Sequence, residues 1–468
     1  MKKISKNFLA LFISDAASHI IGFLATIYLA RILATEGFGL ISYGMAFFSY
    51  ALLFANPGLT TIGTREVAKD YSNRRIIEEI LGLRLCLAVI VFFLFIIGLL
   101  AIPGPLITKR IIFLYLLSVF PFAHFLEFVF QGREEMEYIG IARFCQYGVY
   151  LILLFVLLKN NHGILTVPTS FFFGYFAATV LLFFICINKY HALKYRFSIS
   201  FWRNLLVASI PVGLATIFSQ VYLSLPPIIL GIFHSTTDIG LFSASFKIVV
   251  TLLIIDRVFY YTFFPVITKQ FINAPERLGS SISFIVRLLF AITIPLTVGG
   301  IILADRLIYF IYGNAYGGAI SIFRILLFYF LIAPINALFG YALVSINQEK
   351  RFFKVIAITA AVSLVFIIIL GISFKGIGAA IALLIGEMVS IILMDRELKK
   401  FVKFEALKYL LKPILISLMM GVVLYIFSRG HIILLIVLGN FLYITGLFLI
   451  KGFSKEEFKN ILQTFTQK

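Results

Sequence analysis

Residues 81–102 read LGLRLCLAVIVFFLFIIGLLAI, a stretch in which Arg84 is the only charge. A helix of about 20 apolar residues crosses the roughly 30 Å of a bilayer's hydrocarbon, so this stretch is long enough to span. It has no polar face to turn towards water, which separates it from a surface helix of a soluble domain. Outward from it, segments of the same kind, bounded by charges or turn residues, fall at 8–30, 38–57, 111–131, 141–158, 167–187, 205–232 and 240–265. They continue at 284–304, 318–345, 353–373, 376–395, 409–428 and 431–450. With the first they make fourteen candidate transmembrane helices, and the fold class is an all-α membrane protein.

Composition agrees. Of 468 residues, 61% are hydrophobic and 13% charged, far from the balance of a globular chain. Fourteen spans leave about a dozen residues per loop, too few for a soluble catalytic domain with its own core. Met1-Lys2-Lys3 and the apolar run behind it have the outline of a signal peptide. Asp15 and His19 interrupt that run and no Ala-x-Ala cleavage site follows, so it reads as the first span. Cys86, Cys145 and Cys186 stand in apolar stretches at spacings that suit neither zinc nor a disulfide framework, and the histidines are scattered. Neither an Asp-x-Asp nor a G-x-x-x-x-G-K-[ST] is present, so metal-assisted sugar transfer and direct use of ATP lose their signatures. The chain is expected to be no enzyme and to hold no metal or cofactor.

The formal charge of +19 invites a nucleic-acid partner, but in a membrane chain excess Lys and Arg collect in cytoplasmic loops. With the N-terminus inside, about thirty basic residues fall on the inward side, among them Arg65, Arg84, Arg143, Arg287, Lys399 and Lys403. Only about seven fall outside, including Arg31, Lys109, Arg306, Lys375 and Arg429. Both termini are therefore expected in the cytoplasm, and no nucleic acid is expected as a partner.

The chain also repeats. Thr35-Glu36-Gly37-Phe38-Gly39-Leu40-Ile41-Ser42 matches Thr236-Thr237-Asp238-Ile239-Gly240-Leu241-Phe242-Ser243. Gln131-Gly132-Arg133-Glu134 stands where Asn347-Gln348-Glu349-Lys350 does, and Gly163-Ile164 where Gly376-Ile377 does. Six helices per repeat is an even number, which makes the halves parallel repeats about an axis along the membrane normal. The expected organisation is an N-lobe over 1–195, a C-lobe over 196–400, and two appended helices with a tail over 401–468.

Several motifs resemble one transporter family. Leu29-Ala30-Arg31-Ile32-Leu33 followed by Glu36-Gly37-Phe38-Gly39-Leu40, Phe130-Gln131-Gly132 with Glu134 to Tyr138, and Ile210-Pro211-Val212-Gly213-Leu214 are similar to the Wzx-like O-antigen/polysaccharide flippases. That family lies within the multidrug/oligosaccharidyl-lipid/polysaccharide (MATE-like) superfamily. Gly240-Leu241-Phe242-Ser243-Ala244 leading to Lys247, and Gly376-Ile377-Gly378-Ala379-Ala380, fit the same pattern. The resemblance implies two six-helix lobes around a central cavity and alternating access. Its implied cargo is an oligosaccharide on undecaprenyl pyrophosphate, moved from the cytoplasmic to the outer leaflet of a bacterial inner membrane. It further implies cationic cavity residues, ion coupling, contact with membrane lipids, and a polysaccharide polymerase and chain-length regulator as partners. One departure is Leu225-Pro226-Pro227, where many relatives carry an acidic or polar residue.

A charge at mid-bilayer costs about 2.5–3.5 kcal/mol on insertion scales, so each ionisable group within a span needs water, a partner or the interface. In the first span Asp15, His19 and Gly22 form one stripe beside Ser14 and Ser18. A carboxylate and an imidazole one turn apart either pass a proton or satisfy each other in a helix contact. In the segment 240–265 Lys247 and Thr251 share a face, Arg257 lies within about 80° of it by helical angle, and Asp256 points to the opposite side. Cations there attract a pyrophosphate by charge and hydrogen bonding. Lys247 and Arg257, with Arg324 of the segment 318–345, are the candidate cationic substrate residues, Arg324 being also close enough to the boundary to snorkel.

Asp256 and Glu387 join Asp15 and His19 as candidates for ion coupling. Ser209, Gly213, Thr216, Gln220 and Ser224 make a stripe of small and hydroxylated residues that serves either close helix packing or sugar hydroxyls. Ser209, Thr216, Gln220 and Thr251 are accordingly the candidate polar cavity residues. His124, Glu127 and Gln131, at i, i+3 and i+7 near the inner end of the fourth segment, are candidates for a gate. Two other readings compete with a flippase. A cation-coupled drug antiporter of the same superfamily would favour acidic cavity residues, and a membrane-embedded polymerase or glycosyltransferase would need a long outer loop or a cytosolic domain.

Overall fold

The computed structural model describes residues 2–71, 74–101, 104–159, 163–190, 194–405 and 410–450, with side chains from residue 21 onward except at 159, 215, 219 and 221. Asp15 and His19 thus lie outside the described side chains. Every described regular element is a helix. In chain order they begin α1 (Lys2–Ala55), α2 (Leu59–Lys69), α3 (Arg74–Ala101), α4 (Leu106–Leu117), α5 (Val119–Ala123) and α6 (Glu127–Gly132). Then come α7 (Met136–Lys159), α8 (Thr166–Tyr190), α9 (Ile199–Phe233), α10 (Thr236–Leu252), α11 (Ile254–Asn273) and α12 (Leu278–Ile302). The last are α13 (Ala304–Tyr312), α14 (Ala319–Ser345), α15 (Glu349–Lys399), α16 (Leu411–Ile426) and α17 (Ile432–Leu449).

Each of the fourteen apolar segments falls on these helices. Among the described residues eleven helices are long and apolar enough to cross a membrane, and α16 is a shorter apolar helix. Two of the long ones carry two segments each. α15 has 51 residues, and unbroken it would run about 77 Å, far beyond one bilayer. It breaks at Phe374 and at Lys375, whose φ of 55° is a conformation L-residues avoid. α1 breaks likewise at Ala34, φ 51°. The helix exteriors explain why no polar face was found: on α3, Ile80, Leu81 and Ala88 are buried while Leu94, Ile97 and Leu100 are 61–74% exposed. A soluble helix would turn charges outward there; this one presents the same apolar chemistry to lipid that it presents to its neighbours.

Two helices come from stretches expected to be loops. α2 buries Leu59, Ile62, Gly63 and Val67 and keeps Arg65 and Lys69 outside. The hydrogen bond from Lys69, aided by Arg65, holds the Glu66 carboxyl below the usual carboxylate range. α13 buries Ala304, Ile308 and Tyr312, one turn apart.

The contacts divide the chain into two compact units: Met1–Ser243 with Ser363–Ala379, and Ala244–Val362 with Ala380–Lys468. In unit 1, α7 packs on α8 and α1, and α1 also packs on α4 and α9. The repeated motif has a physical reason here. A methyl group on Gly39 would collide with the carbonyl oxygen of Thr236, and one on Gly240 with that of Thr35. The two copies therefore lie against each other reciprocally, backbone to backbone, which only glycine permits. The second pairing needs a shift of three residues. Glu134 (φ 58°) and Asn347 (φ 59°) are the matching positions, each followed by the same closing bond, Glu135 N–H to Phe130 O at 2.8 Å and Gln348 N–H to Leu343 O at 2.9 Å. In unit 2, α12 packs on α14 and α16, and α16 on α17.

In each unit an extended strap among the described residues lies across the start of a helix. In unit 1 residues 194–198 cross α3, so close that Gly82 faces the carbonyl of Arg196. In unit 2 residues 402–405 cross α12, with Gly279 against the carbonyl of Lys403.

Candidate functional site

Unit 2 holds a polar cluster inside its apolar spans. The segment 240–265 is not one helix: α10 ends at Leu252 and α11 begins at Ile254. The continuous helical angle that related Lys247 to Arg257 therefore does not apply. The break places Asp256 in the first turn of α11, its N–H bonded to Leu253 O at 3.0 Å. Tyr341 of α14 donates a long hydrogen bond, 3.3 Å, to Asp256 Oδ2, and its ring lies 4.6 Å from that of Tyr260. One and a half turns away on α14, Asn336 donates from Nδ2 to Glu387 Oε1 at 2.6 Å and to Ser390 Oγ at 2.9 Å. Glu387 is buried and within electrostatic reach of Asp256.

Two carboxylates, an amide, a phenol and a hydroxyl thus converge from α11, α14 and α15. Oxygen-rich surroundings of this kind suit a proton or a small cation. Lys247 is half-buried on α10, and its ammonium group has no hydrogen bond or ion pair among the described residues. Thr251 Oγ1 donates back to Lys247 O at 2.8 Å, so the two share a face as expected. Arg257 is exposed and interacts with Asp256. Arg324 stands apart from the cluster. Its Nη2 pairs with Asp305 of α13 at 2.7 Å, and its guanidinium remains 42% exposed.

In unit 1 the expected gate residues do not share a helix face. α5 ends at Ala123 and α6 starts at Glu127, so the i, i+3, i+7 relation is broken. His124 closes α5 with Nδ1 2.8 Å from Phe120 O, Glu127 pairs with Arg143 at 2.7 Å, and Gln131 accepts from Thr64 at 3.2 Å. The α9 stripe is half packing and half surface. Ser209 is buried, Gly213 lies against Pro57, Thr216 is exposed with its hydroxyl bonded to Val212 O, and Gln220 donates to Ser224 Oγ at 2.7 Å.

Arg84, expected among the charges of the cytoplasmic side, is buried inside unit 1. Arg84 is 2% exposed, donates to Phe125 O and to Thr60 Oγ1 at 3.1 Å each, and lies between the rings of Phe122 and Phe128. Arg143 and Arg287 are likewise on helices, α7 and α12. A signal was present for Arg84, a single cation four residues inside an apolar run. For Asn336 and Tyr341 it was weaker, because neither carries a charge.

Known proteins place this architecture. The pattern of the polysaccharide biosynthesis protein family matches residues 4–271. A capsular polysaccharide biosynthesis protein, CapF, of Staphylococcus aureus is 22% identical over 406 residues, covering 83% of this chain and 97% of that protein. An Escherichia coli (strain K12) protein named provisionally as an O-antigen transporter is 22% identical over 407 residues, 82% of this chain and 94% of its own. Among solved structures, the lipid II flippase MurJ in an inward closed conformation superposes with a TM-score of 0.77 at 17% identity, over 94% of this chain and 98% of that one. The broken spans, the paired glycine motifs and the family pattern that runs through both copies of that motif agree: the chain belongs to the polysaccharide biosynthesis protein family, on the fold of a multi-pass membrane transporter.

Proposed function

We propose that the protein is a flippase, not an enzyme, that carries an undecaprenyl-pyrophosphate-linked oligosaccharide from the cytoplasmic to the outer leaflet of a bacterial inner membrane. The observation that carries this reading is the relationship to capsular-polysaccharide and O-antigen proteins over more than four-fifths of the chain. The repeats 1–195 and 196–400 rock against each other in alternating access, the residues from 401 onward are an appendage, and both termini are cytoplasmic. Lys247, Arg257 and Arg324 attract the pyrophosphate, and Ser209, Thr216, Gln220 and Thr251 meet sugar hydroxyls. His124, Glu127 and Gln131 serve the gate. A polysaccharide polymerase and a chain-length regulator receive the product.

With no P-loop in the sequence, sustained outward transport draws on an ion gradient or on consumption of the product outside, and the first of these is the source we propose. Asp256 and Glu387 are the carriers supported by geometry, with Asp15 and His19 a second pair. Protonation or cation binding at Glu387 removes a buried charge, and the conformation with the cluster closed is then favoured.

The test is complementation. A strain lacking the gene is expected to lose surface glycan and accumulate its lipid-linked precursor, and the wild-type gene to restore export. Lys247→Ala is expected to restore less glycan at normal membrane abundance. Glu387→Gln keeps the Asn336 contact, and in vesicles it is expected to retain cargo binding while losing dependence on an imposed proton or sodium gradient. Normal glycan in the deletion strain would overturn the flippase reading. The acidic pair also fits a drug antiporter, in which case the deletion would change drug sensitivity and leave glycan intact.

A further inference from the structure

We propose that unit 1 carries a binding site for a phosphate group, that of a lipid headgroup or the free ion, at the ends of α3, α4, α9 and α10. A cavity of about 340 Å³ opens there, beside the part of α1 that follows the break at Ala34. Its polar wall consists of Tyr43, Thr108, Lys109, His234, Ser235 and Thr236, and no carboxylate lines it among the described residues. The volume is near the lower end for ligand pockets, which suits one small group rather than a whole glycan cargo.

The wall divides into groups already engaged and groups left over. Ser235 is engaged: its Oγ donates to Asp238 Oδ2 at 2.6 Å, and Asp238, which does not line the cavity, also pairs with Lys375 at 3.4 Å. His234 is engaged too. Its Nε2 lies 3.0 Å from Gly371 O and 2.9 Å from Ile372 O, so that nitrogen carries a proton and the ring is a fixed part of the wall. Lys109 is left over. It is half-buried in the first turn of α4, and its ammonium group has no hydrogen bond or ion pair among the described residues. The half-buried Thr108 and Thr236 likewise have hydroxyls without a partner among the described residues.

Tyr43 points to a ligand rather than to solvent. It is 3% exposed, it lines the cavity, and its hydroxyl is buried with no hydrogen-bond partner. Buried hydroxyls are rarely left in that condition. A methyl group on Gly231 would overlap the Tyr43 ring, so the ring is packed directly on the backbone of α9. One ammonium and three hydroxyls, from α1, α4 and the start of α10, thus make a set of donors with no acidic acceptor among them. A phosphate brings several anionic oxygens to such a set and balances the ammonium. A neutral sugar would leave Lys109 without a counter-charge. Bound phosphate joins α1, α4 and α10 and stabilises this arrangement of them. On the topology proposed above the site faces the outer side, but its binding chemistry does not depend on that placement or on the cargo.

Thermal melting of the full-length protein in detergent, at constant ionic strength, tests the site with two probes: inorganic phosphate, and phosphatidic acid in the micelle. The wild type is expected to melt higher, saturably, as at least one of them is added, and not with chloride. Lys109→Ala is expected to need roughly tenfold more probe for the same shift, the loss of one charge-assisted contact. Tyr43→Phe is expected to weaken the response and to leave the melting temperature without probe unchanged, since the hydroxyl has no protein partner to lose. Arg110→Ala, a basic change beside Lys109 that does not line the cavity, is expected to respond as the wild type does. Saturation by inorganic phosphate identifies the free ion as a ligand, and a response to phosphatidic acid alone identifies a lipid headgroup. The absence of a saturable response to either probe in the wild type, or an unchanged response in Lys109→Ala, would overturn the proposal. So would a lower melting temperature of Tyr43→Phe without probe, which would mean that the hydroxyl already pairs within the protein.

Discussion

The two straps follow the same route with different polar partners. At 194–198 and at 402–405 an extended segment crosses the first turns of a span, and in both a glycine, Gly82 or Gly279, admits the backbone. Around the first, Glu78 and Glu79 accept from strap N–H groups; around the second, the neutral Ser283 accepts from Glu405 N–H and Lys399 is held by Asp395 at 2.7 Å. Repetition preserved the backbone path, because steric fit at a glycine tolerates no alternative, while the polar partners beside it diverged. One strap is held by buried carboxylates and the other by a serine hydroxyl. Three measurements bear on that contrast.

The largest effect is expected in unit 1. Replacing Glu78 and Glu79 together by Ala leaves strap N–H groups and the Arg196 guanidinium without their acceptors, at a cost of about 2–4 kcal/mol. The purified protein is expected to melt several degrees lower in detergent. An unchanged melting temperature would mean that the carboxylates do not hold the strap and that the comparison has no energetic content.

Next come Gly82→Ala and Gly279→Ala. Each introduces a methyl group into a backbone carbonyl, so each is expected to destabilise by about 1–3 kcal/mol, and by similar amounts. A loss confined to one of them would break the equivalence of the straps.

The smallest effect is expected for Lys403→Ala in lipid-free detergent. With an exposed side chain and no ion-pair partner among the described residues, it is expected to shift stability by under about 0.5 kcal/mol. A loss as large as that of the Glu78/Glu79 change would show that Lys403 is held by the protein.

By itself the sequence determined the spans, because an apolar run long enough for a bilayer is a local property that no tertiary contact overrides. All fourteen segments fall on helices for that reason, and the repeat at Thr35 and Thr236 was legible because close backbone contact leaves glycine as its trace. It also marked Lys247, Asp256 and Glu387 as costly charges within spans. What it could not determine were helix breaks without proline and partners far along the chain. The interruptions at Leu253 and at His124 to Leu126 carry no strong punctuation, so a helical angle cannot be carried across them. Arg84 meets Phe125 41 residues away, Asn336 meets Glu387 51 residues away, and Glu78 meets Arg196 118 residues away. Only the tertiary structure decides such pairs, because a buried polar group is satisfied by whichever donor or acceptor packing brings within about 3 Å, and sequence distance has no bearing on that.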